Sequence, residues 1–544
     1  MHSTATRSNA TFLGHPIGLF LLFLVEMWER FSYYGMRGLL VLYLVCPTVG
    51  MTDPPPGRPD GYNPGRGWSD ADASTLYGLY TGLAYLFPIF GGMIADKLIG
   101  THRSMIVGGL LIACGHIALA ASGFGNLNHT PLGMSVFIFG LAVIVFGTGH
   151  FKPSVSVMVG QLYPPGDPRR DGAFSIFYMG INLGAFLCNI VCGLLAYRYG
   201  WHWGFGAAAV GMLAGLALYM WGRPRYLGDI GEAPRASTAR WAGMFIVAGL
   251  VLAAFAGMLF HMGVFGDIQR AIGDFTRSQP KLATGIATGL FVASVVAAVW
   301  FSLSMPPGDR GPVASIFIFM FFNAFFWLAF EQAGSSINLF TDRYTQRQLY
   351  LFGWTPTIDT PLFQSVNAFF VIVLSPIFGM IWVGLARRGK NPSQPVKIAL
   401  GLIFLGLGFV FMVWGAMIAK AGVPGAQAVA KASVMFIMVT YFLHTVGELC
   451  LSPTGLSYVT KAAPVRFVSL LMGIWFVSSF IANLGGGLIA AQVEKVESGE
   501  LKLPWNFGGQ ADFFMLFVVT SIGAGIVILI FTPLLKKLMR SATD

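Results

Sequence analysis

Fourteen apolar segments recur along the chain, and each is long enough to cross a lipid bilayer. An α-helix rises about 1.5 Å per residue, so about 20 apolar residues span a hydrocarbon layer of about 30 Å. Because backbone groups find no water in that layer, such segments must form helices, and we predict an all-α integral membrane protein. The predicted spans are 15–45, 74–99, 104–123, 133–159, 172–197, 202–222, 241–263, 282–304, 313–340, 362–386, 397–418, 432–459, 467–490 and 511–535.

The overall composition excludes a soluble globular protein. Hydrophobic residues make up 55% of the 544 positions and charged residues only 10%, with a mean hydropathy of +0.68. Soluble domains contain about 25% charged residues. The first span carries several charges and lacks a small-residue cleavage site after a short apolar stretch, so we expect it to stay as a helix rather than be removed as a signal peptide.

The distribution of basic residues predicts the orientation in the membrane. With the N-terminus in the cytoplasm, nineteen of the 34 Lys and Arg residues fall in cytoplasmic segments and twelve in outer segments. This excess follows the positive-inside rule, so both termini are predicted to be cytoplasmic in a multi-pass protein of the cell inner membrane. The net charge of +11 then reflects topology and predicts no nucleic-acid partner.

The cysteines indicate packing rather than a disulfide framework or a metal site, because all five lie in or at the ends of spans. They are Cys46, Cys114, Cys188, Cys192 and Cys450. We therefore predict no metal and no cofactor.

Three similarities between the first and second parts of the chain indicate an ancient duplication. Pro-Ile-Phe-Gly occurs at 88–91 and again at 376–379, a shift of 288 residues. Pro153 matches Pro453 at a shift of 300, and Glu29 matches Glu331 at a shift of 302.

The repeat predicts the domain organisation. We expect six-helix bundles at 1–222 and 312–544, with a linker and an inserted two-helix hairpin at 223–311 between them. The hairpin spans carry no charge, so we expect them to pack on the outside. Two related six-helix bundles with a binding site between them are the architecture of alternating-access transporters.

A charged stripe lies inside the first apolar run. Glu26, Glu29, Arg30, Tyr33 and Arg37 have helical offsets of 0, 3, 4, 7 and 11, which places them on one face. Ionisable groups at this depth must face a wet cavity or each other, and they are usually functional. A structural salt bridge that locks two helices is the alternative interpretation.

The other charges deep in core spans belong to opposite halves. Lys152 joins Arg30 and Arg37 in the N-terminal half, whereas Glu331 and Glu448 belong to the C-terminal half. A cavity between the halves would have a cationic and an anionic wall, which suits a small peptide with a free carboxylate and a free ammonium. The carboxylates would also serve as proton switches, because a buried Glu loses much of its attraction to a cation once it is protonated.

Neutral side chains complete the candidate site. Asn182 and Asn367 would supply amide groups, although a hydrogen bond between packed helices explains either one equally well. Aromatic side chains would line pockets for peptide side chains, although helix packing is the commoner role; these are Tyr33, Tyr34, Tyr77, Tyr85, Trp327 and Trp475. Alternative proton carriers are His116, His150, His261 and His444.

Residues 26–35 match the ExxERFxYYG signature of the proton-coupled oligopeptide transporter family of the major facilitator superfamily. Further matches are Gly91-Gly92 with Asp96 and Gly100, the run 177–184, and Phe326-Trp327 with Glu331-Gln332. The chain resembles this family in both halves, and its hairpin resembles the two extra helices of bacterial members. The resemblance implies the major facilitator fold, with fourteen transmembrane helices here.

The resemblance also implies residue roles. It implies that Arg30 and Lys152 face the peptide carboxylate, and that Glu448, Asn182 and Asn367 face its amine. Proton coupling is assigned to Glu26, Glu29 and Glu331, and the implied gate pairs are Arg37 with Glu331 and Lys152 with Glu448. The full predicted substrate-binding set is Arg30, Tyr33, Tyr34, Tyr77, Tyr85, Lys152, Asn182, Trp327, Asn367, Glu448, Ser452 and Trp475. Animal members carry a His in the second span where this chain has Gly78.

The sequence thus predicts a proton-coupled importer of di- and tripeptides, embedded in the bilayer as a monomer. A carrier of another anionic or amphiphilic solute with the same fold remains as an alternative, which Glu448 disfavours because a nitrate-like ion has no ammonium to meet it. A membrane enzyme would need a catalytic motif such as HExxH or GxSxG, and none occurs in a loop. A receptor-like binding module would bind without turnover.

Overall fold

The fold is that of a computed structural model of the chain, which describes residues 10–52, 54, 58–59, 61–164, 167, 169–235, 238, 240–349, 355–423 and 431–539. These residues form seventeen α-helices and two pairs of very short strands. The helices are α1 Ile17–Val45, α2 Asp70–Ile94, α3 Gly100–Ala121, α4 Pro131–Gln161, α5 Arg169–Tyr199, α6 Trp201–Tyr226, α7 Ala242–His261, α8 Val264–Ser278, α9 Pro280–Leu303, α10 Pro307–Phe330, α11 Ser336–Tyr344, α12 Gln364–Arg387, α13 Gln394–Ala419, α14 Val434–Ala462, α15 Val468–Ala490, α16 Val493–Glu497 and α17 Gln510–Met539. The strands are β1 Thr11–Phe12, antiparallel to β2 His15–Pro16, and β3 Thr345–Gln346, parallel to β4 Ala432–Ser433.

The prediction of fourteen transmembrane helices is confirmed for the described residues. Twelve stretches are long and apolar enough to cross a membrane, and one of them, Asp70–Ala121, contains both α2 and α3. The fourteenth is α1, which is equally long but carries four charges. The protein is therefore a multi-pass membrane protein.

Each half of the chain packs around its own core. In the first half α1 contacts α5 and α6, while α4 contacts α2 and α3. In the second half α13 contacts α14 and α17, and α10 contacts α15. The halves meet where α2 packs on α15 and where α5 packs on α12. A site between the halves is therefore walled by these four helices, together with parts of their neighbours.

The two ends of the bundle are named here by residues. The end where α1 finishes and α2 begins is the Asp70 side, and the end where α2 finishes, near Asp96, is the Asp96 side. On the Asp96 side the last turn of α2 widens into a π-helical segment, Ala95–Ile99.

The contact between α2 and α15 depends on two glycines. A Cβ atom built on Gly78 would lie 2.8 Å from the Cα of Gly487 and 2.9 Å from the carbonyl oxygen of Asn483. Small residues let helix backbones approach this closely in membranes. Position 78 is thus closed to any side chain larger than that of glycine as long as these helices stay packed.

The inserted hairpin lies on the outside of the bundle. Its first helix, α7, packs on α3 and α4, whereas α9 has few contacts and exposes most of its side chains. Between them the structure has a further helix, α8, which was not among our predicted helices.

Candidate functional site

A cavity of about 380 Å³ lies between the two halves. The first half contributes Arg30 and Lys152 to its wall, and the second half contributes Glu331 and Glu448. The predicted arrangement of charges from opposite halves around one space is therefore present. Other lining residues are Tyr34, Arg37, Tyr85, Tyr178, Asn182, Asn189, Trp327, Phe330, Gln364, Asn367, Tyr441, His444, Trp475, Phe476, Ser479 and Asn483.

The charged stripe of α1 both pairs internally and reaches the cavity. Arg30 Nε lies 2.7 Å from Glu26 Oε1 and 3.0 Å from Glu29 Oε2, so one guanidinium serves two carboxylates. All three side chains are buried, and among them only Arg30 lines the cavity. Both of our expectations for such charges, mutual pairing and contact with a cavity, are met by the same helix face.

Glu29 has fewer hydrogen-bond partners than Glu26, whose Oε1 accepts a hydrogen bond from Arg30. Neither of its oxygens has a hydrogen-bond donor, since Arg30 lies at ion-pair distance without a suitable angle. A buried carboxylate whose oxygens lack hydrogen-bond donors is costly to keep charged, and binding a proton lowers that cost. This geometry suits a group that takes up and releases protons.

Lys152 faces an aromatic ring instead of a carboxylate. Its Nζ lies 3.7 Å from the centroid of the Tyr85 ring, a cation–π distance. The described carboxylates form no ion pair with Lys152 in this conformation, so the implied pair of Lys152 and Glu448 is not formed here. The Lys152 ammonium lines the cavity and can donate hydrogen bonds to a ligand there.

Glu448 is held by neutral donors from both halves. The Tyr178 hydroxyl donates to Oε1 at 3.2 Å, and Asn367 Nδ2 donates to Oε2 at 3.0 Å. Asn367 Nδ2 also lies 3.0 Å from the Thr445 hydroxyl. Asn182 Nδ2 donates to the carbonyl oxygen of Tyr178 at 3.0 Å, a bond that does not use the acceptor oxygen of the Asn182 side chain.

Sequence reasoning missed Tyr178. It lies one helical turn before Asn182, at i and i+4 within the run 177–184 that carries the family resemblance, and so shares a helix face with Asn182. That spacing was the available signal.

The first implied gate pair is formed. Arg37 makes an ion pair with Glu331 of the opposite half, and its Nε donates to the Tyr77 hydroxyl at 2.6 Å. Tyr77 in turn lies 3.4 Å from the same Glu331 oxygen. Glu331 begins a 3₁₀ segment, Glu331–Gly334, which interrupts the helix between α10 and α11.

More polar contacts close the halves on the Asp70 side. Arg343 makes a two-pronged contact with Asp70, at 2.5 and 2.7 Å. The backbone N–H of Asp70 donates to Glu494 at 3.1 Å, and Tyr197 donates to Asp342 at 3.3 Å. These contacts join the two halves on the Asp70 side of the cavity, and the structure is therefore closed on that side.

Two predicted binding residues do not line the cavity. Tyr33 is buried and stacks on Tyr80, with ring centroids 6.3 Å apart, and this corrects its assignment as a cavity residue. Tyr77 is buried too, and its hydroxyl is hydrogen-bonded to Arg37 and Glu331 instead of facing the cavity. The side chain of Ser452 lies outside the described residues. Arg30, Tyr34, Tyr85, Lys152, Asn182, Trp327, Asn367, Glu448 and Trp475 all line the cavity.

Of the four histidines considered as alternative proton carriers, only His444 lines the cavity. His150 pairs with Ser104 at 3.0 Å and His261 with Ser135 at 3.2 Å, so both are explained by helix packing. His116 is fully buried without a hydrogen-bond partner. The described residues contain no group of three or more potential metal ligands.

Comparisons with known proteins place this site in a family context. Residues 102–505 match the family model described as "POT family". The chain is 37% identical to the peptide transporter YePEPT of Yersinia enterocolitica subsp. palearctica, over 90% of this chain and 91% of that one. It is 33% identical to the di-/tripeptide transporter of Lactococcus lactis subsp. cremoris, over 98% of both.

A solved structure is similar over the whole chain. It is a POT family transporter in complex with 5-aminolevulinic acid, with a TM-score of 0.75 and 28% identity, covering 98% of this chain and all of that one. The likeness in fold therefore extends across both halves and the cavity between them.

Proposed function

The chain belongs to the POT family, and from that premise we propose that it imports di- and tripeptides together with protons by alternating access. It is a transporter with the major facilitator fold and not an enzyme. The observation that carries the proposal is the cavity between the halves, where Arg30 and Lys152 face the same space as Glu448.

The dimensions of the cavity suit a short peptide. An extended chain spans about 3.3–3.6 Å per residue, so a di- or tripeptide is roughly 7 to 11 Å long. The volume of about 380 Å³ is at the small end of ordinary ligand pockets. A space of this size favours short peptides over long ones.

Both peptide termini have partners of opposite charge. Arg30 and Lys152 bind the carboxylate, and the Lys152 ammonium is available because the Tyr85 ring is its only described close partner. Glu448 binds the ammonium, assisted by the side-chain oxygens of Asn182 and Asn367. Tyr178 and Asn367 hold the Glu448 carboxylate in place for this contact.

Proton coupling uses carboxylates that are already paired with cations. Protonation of Glu331 weakens its attraction to Arg37, which releases one contact between the halves. Protonation of Glu29 or Glu26 frees Arg30 for the peptide carboxylate. The membrane potential supplies roughly 2.3 kcal/mol per proton per 100 mV, in addition to the pH gradient.

Alternating access would move the bundles 1–222 and 312–544 relative to each other. Opening on the Asp70 side requires that Asp70 separate from Arg343 and Arg37 from Glu331. The excess of Lys and Arg in the predicted cytoplasmic segments supports an orientation in the cell inner membrane with the Asp70 side facing out of the cell and both termini in the cytoplasm. With this orientation the side that is closed in the structure faces out of the cell, and we propose that the carrier works as a monomer.

Another zwitterion is the closest competing substrate. The relative in complex with 5-aminolevulinic acid shows that family members bind at least one non-peptide ligand. That compound also carries an ammonium and a carboxylate, so the same pair of charged walls would serve it. Competition between the two ligands belongs in the functional test.

The proposal is tested with purified protein in proteoliposomes and labelled dialanine under an imposed pH gradient, acidic outside. We expect accumulation above equilibrium that a protonophore abolishes, with protein-free liposomes as the control. Uptake that only equilibrates and ignores the gradient would contradict proton coupling. Efficient uptake of 5-aminolevulinic acid without any uptake of dialanine would contradict the substrate assignment.

A further inference from the structure

The chain changes direction on both sides of α8, the helix between the two hairpin spans. Gly263 adopts a left-handed conformation with φ of +79° just before α8, and Pro280 starts α9 directly after it. Because α7 and α9 each cross the membrane, their ends bring α8 to the membrane surface on the Asp70 side.

The apolar residues of α8 share one face. At 100° per residue, Phe265, Ile268, Ile272 and Phe275 fall within an arc of about 80°. All four are exposed, from 36% for Phe275 to 59% for Ile272, and no residue of the helix is buried. Within the described residues the ring of Phe265 contacts the ring of Phe260 of α7, with centroids 6.2 Å apart, and the rest of the face is open.

The opposite face is polar and electrically balanced. Asp267 pairs with Arg270 at 2.5 Å, and Asp274 pairs with Arg277 at 2.9 Å. The four charges cancel within the helix, so attraction to an anionic surface is not its means of attachment. The chemistry of the two faces fits a helix half immersed at a bilayer surface.

One polar contact ties this helix to the transport domain. Gln269 Nε2 donates to Asp72 Oδ1 at 2.7 Å, and Asp72 lies in the first turn of α2. Two residues earlier, Asp70 holds Arg343 of the other half. The tether therefore ends beside a contact that closes the Asp70 side.

We propose that α8 lies in the lipid surface on the Asp70 side, with Phe265, Ile268, Ile272 and Phe275 among the acyl chains, and that Gln269 fastens this membrane-bound helix to the start of α2. Lipid is the occupant because the apolar face of α8 continues the exposed apolar surface of α7 and α9, which already face the bilayer. The proposal depends on the membrane fold and not on the identity of the transported solute.

Spin labels on the two faces test the lipid contact. Four of the five native cysteines are buried, so the full-length Cys114→Ala protein is the background. Ile268→Cys and Ile272→Cys report the apolar face, and Asp267→Cys and Asp274→Cys report the polar face. In phosphatidylcholine vesicles we expect the first two labels to be relaxed mainly by oxygen and the other two mainly by a water-soluble nickel chelate.

Two outcomes would overturn the lipid contact. Equal relaxation by nickel on both faces would mean that α8 projects into water. Spin–spin broadening between protomers at Ile268→Cys, with little access for either reagent, would mean that a second copy of the chain covers the face.

The tether has its own test. We would measure the distance between labels at Ile272→Cys and Thr75→Cys, the latter on α2, in the same background. Gln269→Ala should widen the distance distribution, whereas Thr276→Ala, which removes only a hydrogen bond within α8, should leave it unchanged. An unchanged width in Gln269→Ala would remove the tether from the proposal.

Discussion

At the residue scale, the chemistry of the site rests on how each carboxylate is partnered. Glu448 accepts hydrogen bonds from Tyr178 and Asn367, whereas Glu29 has no donor. The sequence predicted both carboxylates as functional because charges deep in apolar helices are rarely idle. It did not predict Tyr178, because the i, i+4 spacing from Asn182 puts both residues on one helix face without showing which residue of the opposite half they contact.

Glu448→Gln should weaken uptake of peptides with a free amine far more than uptake of N-acetylated ones. Losing a charge-assisted hydrogen bond costs about 1.5–3 kcal/mol, or roughly ten- to hundredfold in apparent affinity. Competition assays in proteoliposomes measure this difference, with the exposed Glu500→Gln as a charge-matched control. Equal losses for both peptide classes would show that Glu448 does not bind the amine.

Glu29→Gln should abolish uptake driven by a proton gradient and spare counterflow exchange of peptide. The amide keeps the size of the side chain but cannot exchange a proton, while binding through Lys152 and Glu448 remains. Parallel measurements of uphill uptake and exchange check this. If the variant still accumulates peptide against a gradient, Glu29 is not the coupling group.

At the element scale, hydropathy predicted the helices that face lipid and missed the one that is half polar. Thirteen of the fourteen spans follow from length and apolar content alone, and α1 is the exception because it carries four charges. By contrast, α8 alternates apolar and charged residues at helical spacing, so its average is too polar to be read as a span. The close crossing of α2 and α15 was also unpredictable, because glycine spacing does not reveal which helix it will meet.

Gly78→Ala should destabilise the protein by about 1–3 kcal/mol, since a methyl group there overlaps the backbone of α15. Gly289→Ala on α9 is the matched control, because a Cβ at that position meets nothing within 4 Å. Thermal unfolding in detergent compares the two. Identical melting temperatures would mean that α2 and α15 are not held this close in solution.

At the scale of the whole molecule, the question is what keeps the Asp70 side shut. Family resemblance implied the pair of Arg37 and Glu331, which is formed. The pair of Asp70 and Arg343 joins two residues 273 positions apart and could not be read from the sequence, because charges at span ends carry no signal of their partner.

Asp70→Arg and Arg343→Asp should each shift the protein toward a state open on the Asp70 side, and the double variant should restore closure. An ion pair of this exposure contributes up to about 1 kcal/mol, or roughly a fivefold change in the ratio of states. Distances between spin labels on the two halves report the shift. Failure of the double variant to recover the original distribution would assign no closing role to this pair.

The shared guanidinium of α1 has a consequence for stoichiometry. Glu26 and Glu29 balance Arg30 and Lys152, so the end of the site proposed for the peptide carboxylate is neutral when these four groups are ionised, while Glu448 at the other end balances the peptide ammonium. A bound peptide carboxylate changes the net charge there to minus one, and a bound proton restores neutrality. Because such coupling is reciprocal, lowering the pH should raise the affinity for dialanine and leave the affinity for dialanine amide, which lacks the carboxylate, unchanged. Calorimetric titration at two pH values measures both affinities. Binding of the peptide and binding of the proton would thus be coupled by the need to keep this end of the site neutral.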